Sequence, residues 1–393
     1  MLSWLVLIAI LLGLFVVFDT SYIMLFKGGS WSSFAIVKHV LWVILSGVVY
    51  YFFTKLPPEI LRGISKPLYF LGLVACILVF IPGVGIESGG AKRWFGVEPF
   101  RIQPSEFLKP LTIWFLAAMC LYKFPSYPKS VRHFGEWMDN RFVIFLRRNW
   151  HWLIVGISVL VIERQPDLGT AAMVGVIAIG IMIYSPIKGR VIALVLLFAL
   201  LMGTVFTISE DYRGGRFRTW LHRWDASVVD GPGYQSAQSE LAMAIGGVTG
   251  VGPPKGRAKR VLPAASTDFA FTTIAEEAGF IGSIIVISLL AAISLRLVLL
   301  ASLSQDAFSR LVIGGTGWWI GIQSVLNLSM VGSLLPPIGV PLPFLSYGGS
   351  SLLALMMALG ASQAMIHRRV YKEAPIETRR DRRRYRRARL SRA

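Results

Sequence analysis

The sequence has few charged residues and almost no cysteine, and it lacks the motifs of most soluble enzymes. Only 16% of its 393 residues are charged, whereas soluble globular domains carry about 25%. Its two cysteines, Cys76 and Cys120, fall in separate apolar segments. The five histidines are scattered, and the glycine-rich stretches lack the lysine and strand context of a phosphate-binding loop. With no internal repeat either, these absences argue against a disulfide or metal site and against a soluble nucleotide-binding domain.

Apolar residues are what the sequence has in excess. They make up 54% of the chain, and the mean hydropathy is +0.62. Runs of about 17–25 apolar residues are long enough to cross a bilayer as helices. The sequence therefore predicts an all-α integral membrane protein with about ten transmembrane helices. They are expected near residues 3–25, 34–54, 67–81, 105–122, 150–162, 168–184, 191–209, 269–295, 311–330 and 344–366.

The distribution of Lys and Arg predicts that both termini are cytoplasmic. With the N-terminus placed inside, the connecting loops hold thirteen Lys or Arg on the cytoplasmic side and five in the short outer loops. This asymmetry satisfies the positive-inside rule and predicts a multi-pass membrane protein. The first apolar segment has no basic stretch before it and is too long for a signal peptide, so we interpret it as a retained helix.

The chain is predicted to form one membrane domain, residues 1–370, followed by a basic tail, residues 371–393. We expect the tail to be largely disordered. A polybasic segment directly after a final helix is typical of binding to anionic lipid head groups, and we favour this partner over nucleic acid. A second polar connection, 123–149, is expected to be a basic cytoplasmic connector.

The long outer loop, residues 210–268, carries many cations on the side where they are disfavoured. Loops of this length translocate despite their charge, so simple solubility is one explanation. The other is a site for an anionic ligand such as phosphate or pyrophosphate, which guanidinium groups bind well. Within this loop, residues 233–245 are expected to be a re-entrant or interfacial segment. The cations proposed to contact such a ligand are Arg213, Arg216, Lys255, Arg257, Lys259 and Arg260.

Two further groups of polar residues lie beside apolar helices, where each ionisable group is a functional candidate. Glu106 and Lys109 stand three positions apart on one helix face, where they could pair with each other or contact a substrate. Ser105 is expected to cap that helix. Asp167 follows a proline that interrupts an apolar stretch, and it could cap the next helix.

Asp268 stands where the basic loop meets the next apolar segment. A carboxylate at such a boundary could act as a general base, with the cations stabilising an anionic leaving group. It could equally be an N-cap, with Glu276 and Glu277 as buried structural carboxylates. A proline-rich run, residues 336–343, cannot continue a helix and is expected to form an ordered outer loop, with the Gly-Gly-Ser-Ser run at 348–351 packing closely behind it.

Taken together, these motifs resemble the SEDS family (shape, elongation, division and sporulation), to which FtsW, RodA and SpoVE belong. The resemblance runs from about residue 2 to residue 370. Residues 82–87 look more like the division branch, toward which we lean slightly, and residues 339–343 like the elongation branch. The motifs occur in the family's order: Pro82-Gly83-Val84-Gly85-Ile86-Glu87, Lys92-Arg93-Trp94, Gln103-Pro104-Ser105-Glu106, Gln165-Pro166-Asp167-Leu168-Gly169-Thr170, Gly233-Tyr234-Gln235, Thr267-Asp268-Phe269 and Pro343-Phe344-Leu345-Ser346-Tyr347-Gly348-Gly349-Ser350.

The resemblance implies a multi-pass protein of the bacterial cytoplasmic membrane, a peptidoglycan glycosyltransferase that polymerises lipid II at the outer face of that membrane. It implies a class B penicillin-binding transpeptidase as partner, together with other division or elongation membrane proteins. Asp268 takes the place of the family's essential acidic residue, and Glu106 and Lys109 that of its paired residues. Gln235, Ser346, Tyr347 and Ser350 are expected to line the substrate cavity. A divalent ion, Mg²⁺ or Mn²⁺, could share in stabilising the leaving group.

The sequence departs from the family's pattern just before Asp268. Members commonly have Glu and His where this chain has Ala264 and Ser266, so any role of those two groups in binding substrate is lost here. Two other functions remain open from the sequence. One is a transporter that moves lipid II between leaflets, and the other is a non-catalytic scaffold for division proteins.

Overall fold

The computed structural model describes the backbone of residues 1–26, 30–88, 91–97, 100–121, 134–185, 187, 189–209 and 211–373. Side chains are described over the same ranges except residues 22–34, 122–148, 204–214, 216, 369–373 and a few single positions. The basic tail beyond residue 373, predicted to be disordered, lies outside the described residues.

Helices form nearly all of the described chain. Each apolar segment predicted to cross the membrane lies wholly or largely on one helix, because a chain in hydrocarbon must satisfy its backbone hydrogen bonds internally. The helices are α1 Leu2–Phe26, α2 Ser30–Lys55, α3 Pro58–Leu78, α4 Pro104–Cys120, α5 Phe134–Glu163, α6 Leu168–Tyr184, α7 Gly189–Ser209, α8 Asp211–Leu221, α9 Tyr234–Gly246, α10 Ala258–Val261, α11 Ala270–Ser302, α12 Ala307–Val331 and α13 Gly349–Glu373.

Five of these helices, α1, α2, α3, α11 and α13, are long and apolar enough within the described residues to cross a membrane. The predicted helical membrane fold is confirmed, whereas the number of ten crossings stays a prediction. The connector predicted at 123–149 was wrong in part, because α5 begins at Phe134. An apolar run locates the membrane part of a helix and misses any polar extension of it.

A small antiparallel sheet, which the sequence did not predict, lies between α3 and α4. Its strands are β1 Ile86–Ser88, β2 Ala91–Val97 and β3 Phe100–Ile102, in the order β1-β2-β3. Phe95 pairs with Ile102 and Val97 with Phe100. The prediction of a purely α fold was therefore wrong in this one segment. Strands of three to seven residues are too short to show a clear alternation of apolar and polar side chains.

The centre of the bundle is formed by α4 and α12. Helix α4 packs against α3, α6, α12 and α13, and α12 packs against α11, α6, α13 and α4. Side chains all around α4 are buried, including Trp114, Phe115 and Leu116 at 0% exposure. A helix that is apolar on every side belongs in such a central position. These two helices form the scaffold on which the polar segments at one end of the bundle rest.

Helix α11 is interrupted at Gly279, whose φ of 64° and ψ of −161° are not helical. The break is held by the loop that follows α9. The amide of Phe280 donates to the carbonyl of Gly247 at 2.9 Å, and that of Ile281 donates to the carbonyl of Val248 at 3.1 Å. A Cβ atom at Gly279 would lie 2.3 Å from the amide nitrogen of Gly250. Only glycine allows this close approach.

Replacing Gly13 by alanine is expected to destabilise the bundle where α1 meets the loop before α13. An added Cβ would lie 2.1 Å from the carbonyl oxygen of Phe344, and overpacking of this kind costs about 1–3 kcal/mol. We expect the midpoint of thermal unfolding in detergent to fall by several degrees. Gly47→Ala in α2 is the matched control, because nothing lies within 4 Å of its added Cβ. An equal fall for both variants would contradict the close packing of α1.

Candidate active site

Segments that are distant in the sequence meet at one end of the bundle. The turn before α11 packs against the loop that leads into α13. The hydroxyl of Ser346 donates to the carbonyl of Thr267 at 2.6 Å, and the amide of Tyr347 donates to the carbonyl of Ser266 at 2.7 Å. From α12, the amide group of Asn327 donates to the carbonyls of Asp268 and Val340 at 2.8 and 2.7 Å. These bonds fix the backbone of residues 266–268.

A second polar network joins the starts of α4, α6 and α13. The Nε2 of Gln103 lies 2.6 Å from Oδ2 of Asp167, and the backbone amide of Gln103 donates to Oγ of Ser350 at 3.0 Å. The other oxygen of Asp167 accepts from the amide of Thr170 at 3.1 Å, so the predicted cap of α6 is confirmed. Ser105 was expected to cap α4, but Gln103 occupies that position and makes no side-chain cap. The observed cap lies two positions before the predicted one, because Pro104 is the first residue of α4, a position that proline favours.

The sheet is fastened to the same end of the bundle through Arg93 of β2. Its Nε donates to the carbonyl of Gln165 at 2.8 Å, and its guanidinium also donates to the carbonyl of Pro166. The side chain of Gln165 in turn donates to the carbonyl of Cys76 at 2.7 Å. The carbonyls of Gln165 and Pro166, in the break between α5 and α6, are therefore satisfied by the guanidinium group of Arg93.

Asp268 itself is half-buried and immediately precedes α11. The N-cap position belongs to Phe269, which has no side-chain cap bond, so the structure does not favour the N-cap interpretation of Asp268. A Cβ atom at Gly339 would lie 3.6 Å from Oδ2 of Asp268, and Gly339 has a φ of 71°. One oxygen of the carboxylate therefore lies close to the backbone of Gly339, at a position that carries no side chain.

The cations predicted to bind an anionic ligand do not behave alike. Lys255, Arg257 and Arg260 are exposed, and within the described part of the chain no carboxylate pairs with them. The prediction that Lys259 contacts an anionic ligand was wrong. Its side chain is 0% exposed and its Nζ lies 2.5 Å from the carboxylates of both Asp19 and Glu277, so it is not available to a substrate. The side chains of Arg213 and Arg216 lie outside the described residues.

The residues predicted to line the cavity also differ in their exposure. Ser346 and Ser350 are 7% and 3% exposed, and both hydroxyls are occupied by bonds within the protein. They were predicted to contact substrate, and the structure instead gives them the task of holding loops together. Gln235 and Tyr347 are half-buried. The ring of Tyr347 lies 5.3 Å from that of His39 on α2, measured between centroids.

An apolar groove of about 300 Å³ opens between α1 and α2. His39 belongs to its lining, so the groove extends to the aromatic contact with Tyr347. One lining residue of the groove, His39, is therefore in contact with the loop that packs on residues 266 and 267. Its lining residues are Leu14, Phe15, Val17, Phe18, Ile36, His39 and Val40.

Glu106 and Lys109 lie deep inside the bundle and are paired. Nζ of Lys109 is 2.7 Å from Oε1 of Glu106, and the two side chains are 1% and 5% exposed. The ammonium group also lies 5.8 Å from the centre of the Trp319 ring on α12, a cation–π distance. The geometry favours the first of the two predicted roles, a buried pair that holds α4 in the bundle.

Glu276 and Glu277 are buried and bind backbone, as the structural interpretation of these residues expected. Glu276 accepts from the amides of Arg257 and Ala258 at 2.9 and 2.7 Å, and Glu277 accepts from the amide of Gly256 at 3.0 Å. They tie the cationic segment around α10 to the first turns of α11.

A divalent ion was predicted as a further contributor to the reaction. The described part of the chain contains no group of three His, Cys, Asp or Glu side chains placed to hold a metal. Mg²⁺ is commonly bound by one or two carboxylates together with the phosphates of a substrate. The single carboxylate of Asp268 fits that kind of shared site, and the role of a divalent ion stays a prediction.

Sequence reasoning missed Asp19, Gln103, Asn327 and Arg93. Asp19 carried a usable signal, because it is the single acidic residue within the apolar run of α1. Gln103 and Arg93 stood in motifs that had been noted, without an assigned role. Asn327 carried no signal beyond being an amide in an apolar helix.

Comparison with known proteins shows the family to which the chain belongs. Residues 1–370 match the family described as cell cycle proteins and named for FtsW, RodA and SpoVE. The probable peptidoglycan glycosyltransferase FtsW of Geobacter metallireducens is 32% identical over 300 residues, 76% of each chain. Stage V sporulation protein E of Bacillus subtilis is 36% identical over 303 residues, 76% of this chain and 78% of that protein.

Solved structures show the same fold. RodA, the rod shape determining protein of Thermus thermophilus, superposes with a TM-score of 0.62 at 24% identity, covering 94% of this chain and 96% of that one. A chain from a peptidoglycan synthase complex that coordinates polymerization and crosslinking gives a TM-score of 0.71 at 24% identity, covering 95% and 98%.

Proposed function

Because the chain belongs to the family of cell cycle proteins that comprises FtsW, RodA and SpoVE, we propose that it is a peptidoglycan glycosyltransferase. In this proposal it polymerises lipid II at the outer face of the cytoplasmic membrane, with Asp268 as general base. The observation that carries the assignment of the site is the placement of Asp268. It is a half-buried carboxylate, held by its backbone between three elements and facing the bare backbone of Gly339.

The reaction joins two lipid-linked saccharides in one displacement. Asp268 accepts the proton of the acceptor's GlcNAc 4-hydroxyl, and the oxygen forms a bond to the anomeric carbon of the donor's MurNAc. The bond from that carbon to the undecaprenyl pyrophosphate breaks, and the leaving group departs with the electron pair. A single displacement inverts the anomeric centre and requires one base without a second, covalent carboxylate, by analogy with inverting glycosidases.

The departing pyrophosphate is already anionic, so it needs cations more than an acid. Lys255, Arg257 and Arg260 supply exposed positive charge in the segment that leads directly to Asp268. Positively charged groups near a developing phosphate charge are among the strongest stabilising contributions in catalysis. A divalent ion shared with the pyrophosphate could assist them.

The apolar groove between α1 and α2 is one reason to propose that the substrate is lipid-linked. It offers an apolar surface next to the loop that packs on Thr267 and Asp268. A prenyl chain is accommodated by such a surface because it stays out of water. A soluble sugar donor has no apolar chain that could occupy such a groove.

We further propose the partners that the family suggests. One related solved structure is a peptidoglycan synthase complex that combines polymerization with crosslinking. A class B penicillin-binding transpeptidase is therefore the expected partner here, beside other division or elongation membrane proteins. The proposed orientation has both termini in the cytoplasm, with the basic tail on anionic lipids.

Purified protein incubated in detergent with labelled lipid II, with and without a cognate transpeptidase, tests the function. Glycan chains on a gel are the expected product. In liposomes, movement of lipid II between leaflets without chain formation would instead identify a transporter. If neither product appears under either condition, a scaffold is the better description.

Replacing Arg257 and Arg260 together by glutamine is expected to weaken substrate binding. Hydrogen bonds to charged groups contribute about 1.5–3 kcal/mol each, so the KM for lipid II should rise at least about tenfold. The rate of wild-type polymerisation should also fall with added salt, because exposed charges are screened. An unchanged KM in the double variant would remove these arginines from the site.

A further inference from the structure

Lys259 lies in a stretch rich in exposed cations, yet its side chain is fully buried between two carboxylates. Its Nζ lies 2.5 Å from Oδ2 of Asp19 in α1 and 2.5 Å from Oε1 of Glu277 in α11. The side chains of Asp19 and Glu277 are only 8% and 7% exposed. An acidic group within an apolar membrane helix is costly and is retained where it serves a function. Asp19 therefore needs an explanation that the helix itself does not give.

The two glutamates of α11 bind the same short segment through its backbone. Glu277 accepts from the amide of Gly256, and Glu276 accepts from the amides of Arg257 and Ala258. Three carboxylates thus contact residues 256–259, and the ammonium group of Lys259 supplies the positive charge between two of them, Asp19 and Glu277. Without it, the carboxylates of Asp19 and Glu277 would be left buried side by side, which is strongly unfavourable.

The buried lysine determines how its neighbours are presented. Helix α10 has four residues, Ala258–Val261, and a single turn has no stability of its own. Its orientation must come from its contacts. Because Lys259 and Ala258 face inward, Arg257 and Arg260 on the same turn are exposed. A chain of short turns, including the bonds from Thr267 and Phe269 to the carbonyl of Ala264, then leads to Asp268.

We propose that Asp19 is a positioning residue for glycosyl transfer. Acting through Lys259, it anchors α10 to the membrane helix α1, so that Arg257 and Arg260 are held toward the pyrophosphate of the lipid-linked substrate. This inference rests on the proposed function, since it assigns the arginines to that substrate. It adds a residue on α1, about 240 positions away in the sequence, to the determinants of substrate binding.

The experiment compares Asp19→Ala with Asp19→Glu in the purified full-length protein, using labelled lipid II. Asp19→Ala should raise the KM about tenfold, the scale of one lost hydrogen bond to a charged group, while kcat changes much less. Asp19→Glu, which keeps the carboxylate, should recover most of the affinity. Asp306→Ala is the matched control. This carboxylate caps α12 through Ser309, far from the site in sequence, and its loss should leave the KM unchanged.

A double-mutant cycle separates positioning from simple destabilisation. If Asp19 acts through the arginines, Asp19→Ala should have less than about a twofold further effect on the KM once Arg257 and Arg260 are both glutamine. If it merely weakens the fold, its effect should multiply with theirs in that background. The midpoint of thermal unfolding, measured for every variant, shows whether the kinetic comparison is made between folded proteins.

Several outcomes would overturn the proposal. An unchanged KM in Asp19→Ala would do so, and so would an effect of equal size with and without the arginines. If neither Asp19→Ala nor Asp19→Asn can be purified as folded protein, Asp19 and Lys259 stabilise the fold as a whole. The role of Asp19 in positioning the arginines would then be wrong. Wild-type protein that makes no glycan would instead contradict the proposed function itself, a distinct result.

Discussion

Asp268→Asn is expected to reduce the rate of lipid II polymerisation by about 10²–10⁴-fold, the usual effect of removing a positioned general base. The substitution keeps the size of the side chain and replaces a group that accepts a proton with one that does not. The bond from Asn327 goes to the backbone carbonyl of residue 268, so the loop should keep its place. Initial rates of glycan formation, measured at saturating lipid II, give the comparison.

The control for this variant is Asp306→Asn, which neutralises a carboxylate at the start of α12. Its rate should stay close to that of the wild type. Both variants should also unfold within a few degrees of the wild-type protein. Polymerisation by Asp268→Asn at the wild-type rate would exclude Asp268 as the base and would reopen the assignment of the site.

Lys109→Met is expected to cause the largest loss of stability. It leaves the carboxylate of Glu106 buried without its counterion, because the pair is 1% and 5% exposed with a separation of 2.7 Å. Breaking a buried pair by removing one partner typically costs about 3–5 kcal/mol. The other oxygen of Glu106 is also buried and has no hydrogen-bond partner among the described residues, so nothing else there can compensate. Thermal unfolding in detergent should show a large fall in the midpoint.

The double variant Glu106→Gln, Lys109→Met removes both charges and should recover much of the lost stability, since no isolated charge remains. Normal thermal stability of Lys109→Met combined with lost activity would point the other way. It would mean that Lys109 serves the substrate rather than the packing of α4.

The helices of this protein could be predicted because their cause is local. An apolar run long enough to cross a bilayer forms a helix wherever it stands, and α1, α2, α11 and α13 follow from that rule. The sheet at 86–102 could not be predicted in this way. Its strands are short, and Arg93 of β2 is bound to the break between α5 and α6. A contact across more than 70 positions leaves no local pattern.

The chemistry of the candidate site stays a prediction, and the structure adds a distinction among its residues that the sequence did not show. The sequence located a carboxylate and a group of cations, and the structure places Asp268 and Arg260 within one run of turns. The sequence alone did not show which of the cations in residues 255–260 is buried. That choice depends on Asp19, which is far away in the sequence and supplies the partner for Lys259. Charged residues of one type in one segment look alike until the elements packed against them are known.

The interruption at Gly279 divides α11 into two parts with different attachments. The part before the break begins directly after Asp268 and is bound to the cationic segment through Glu276 and Glu277. The part after it is a membrane helix. The turns next to Asp268 are therefore coupled to the polar loops rather than to the lipid-embedded half of their own helix. A displacement of residues 256–258 would therefore reach the turns before Gly279 first, while Asn327 on α12 holds the backbone of Asp268 in place.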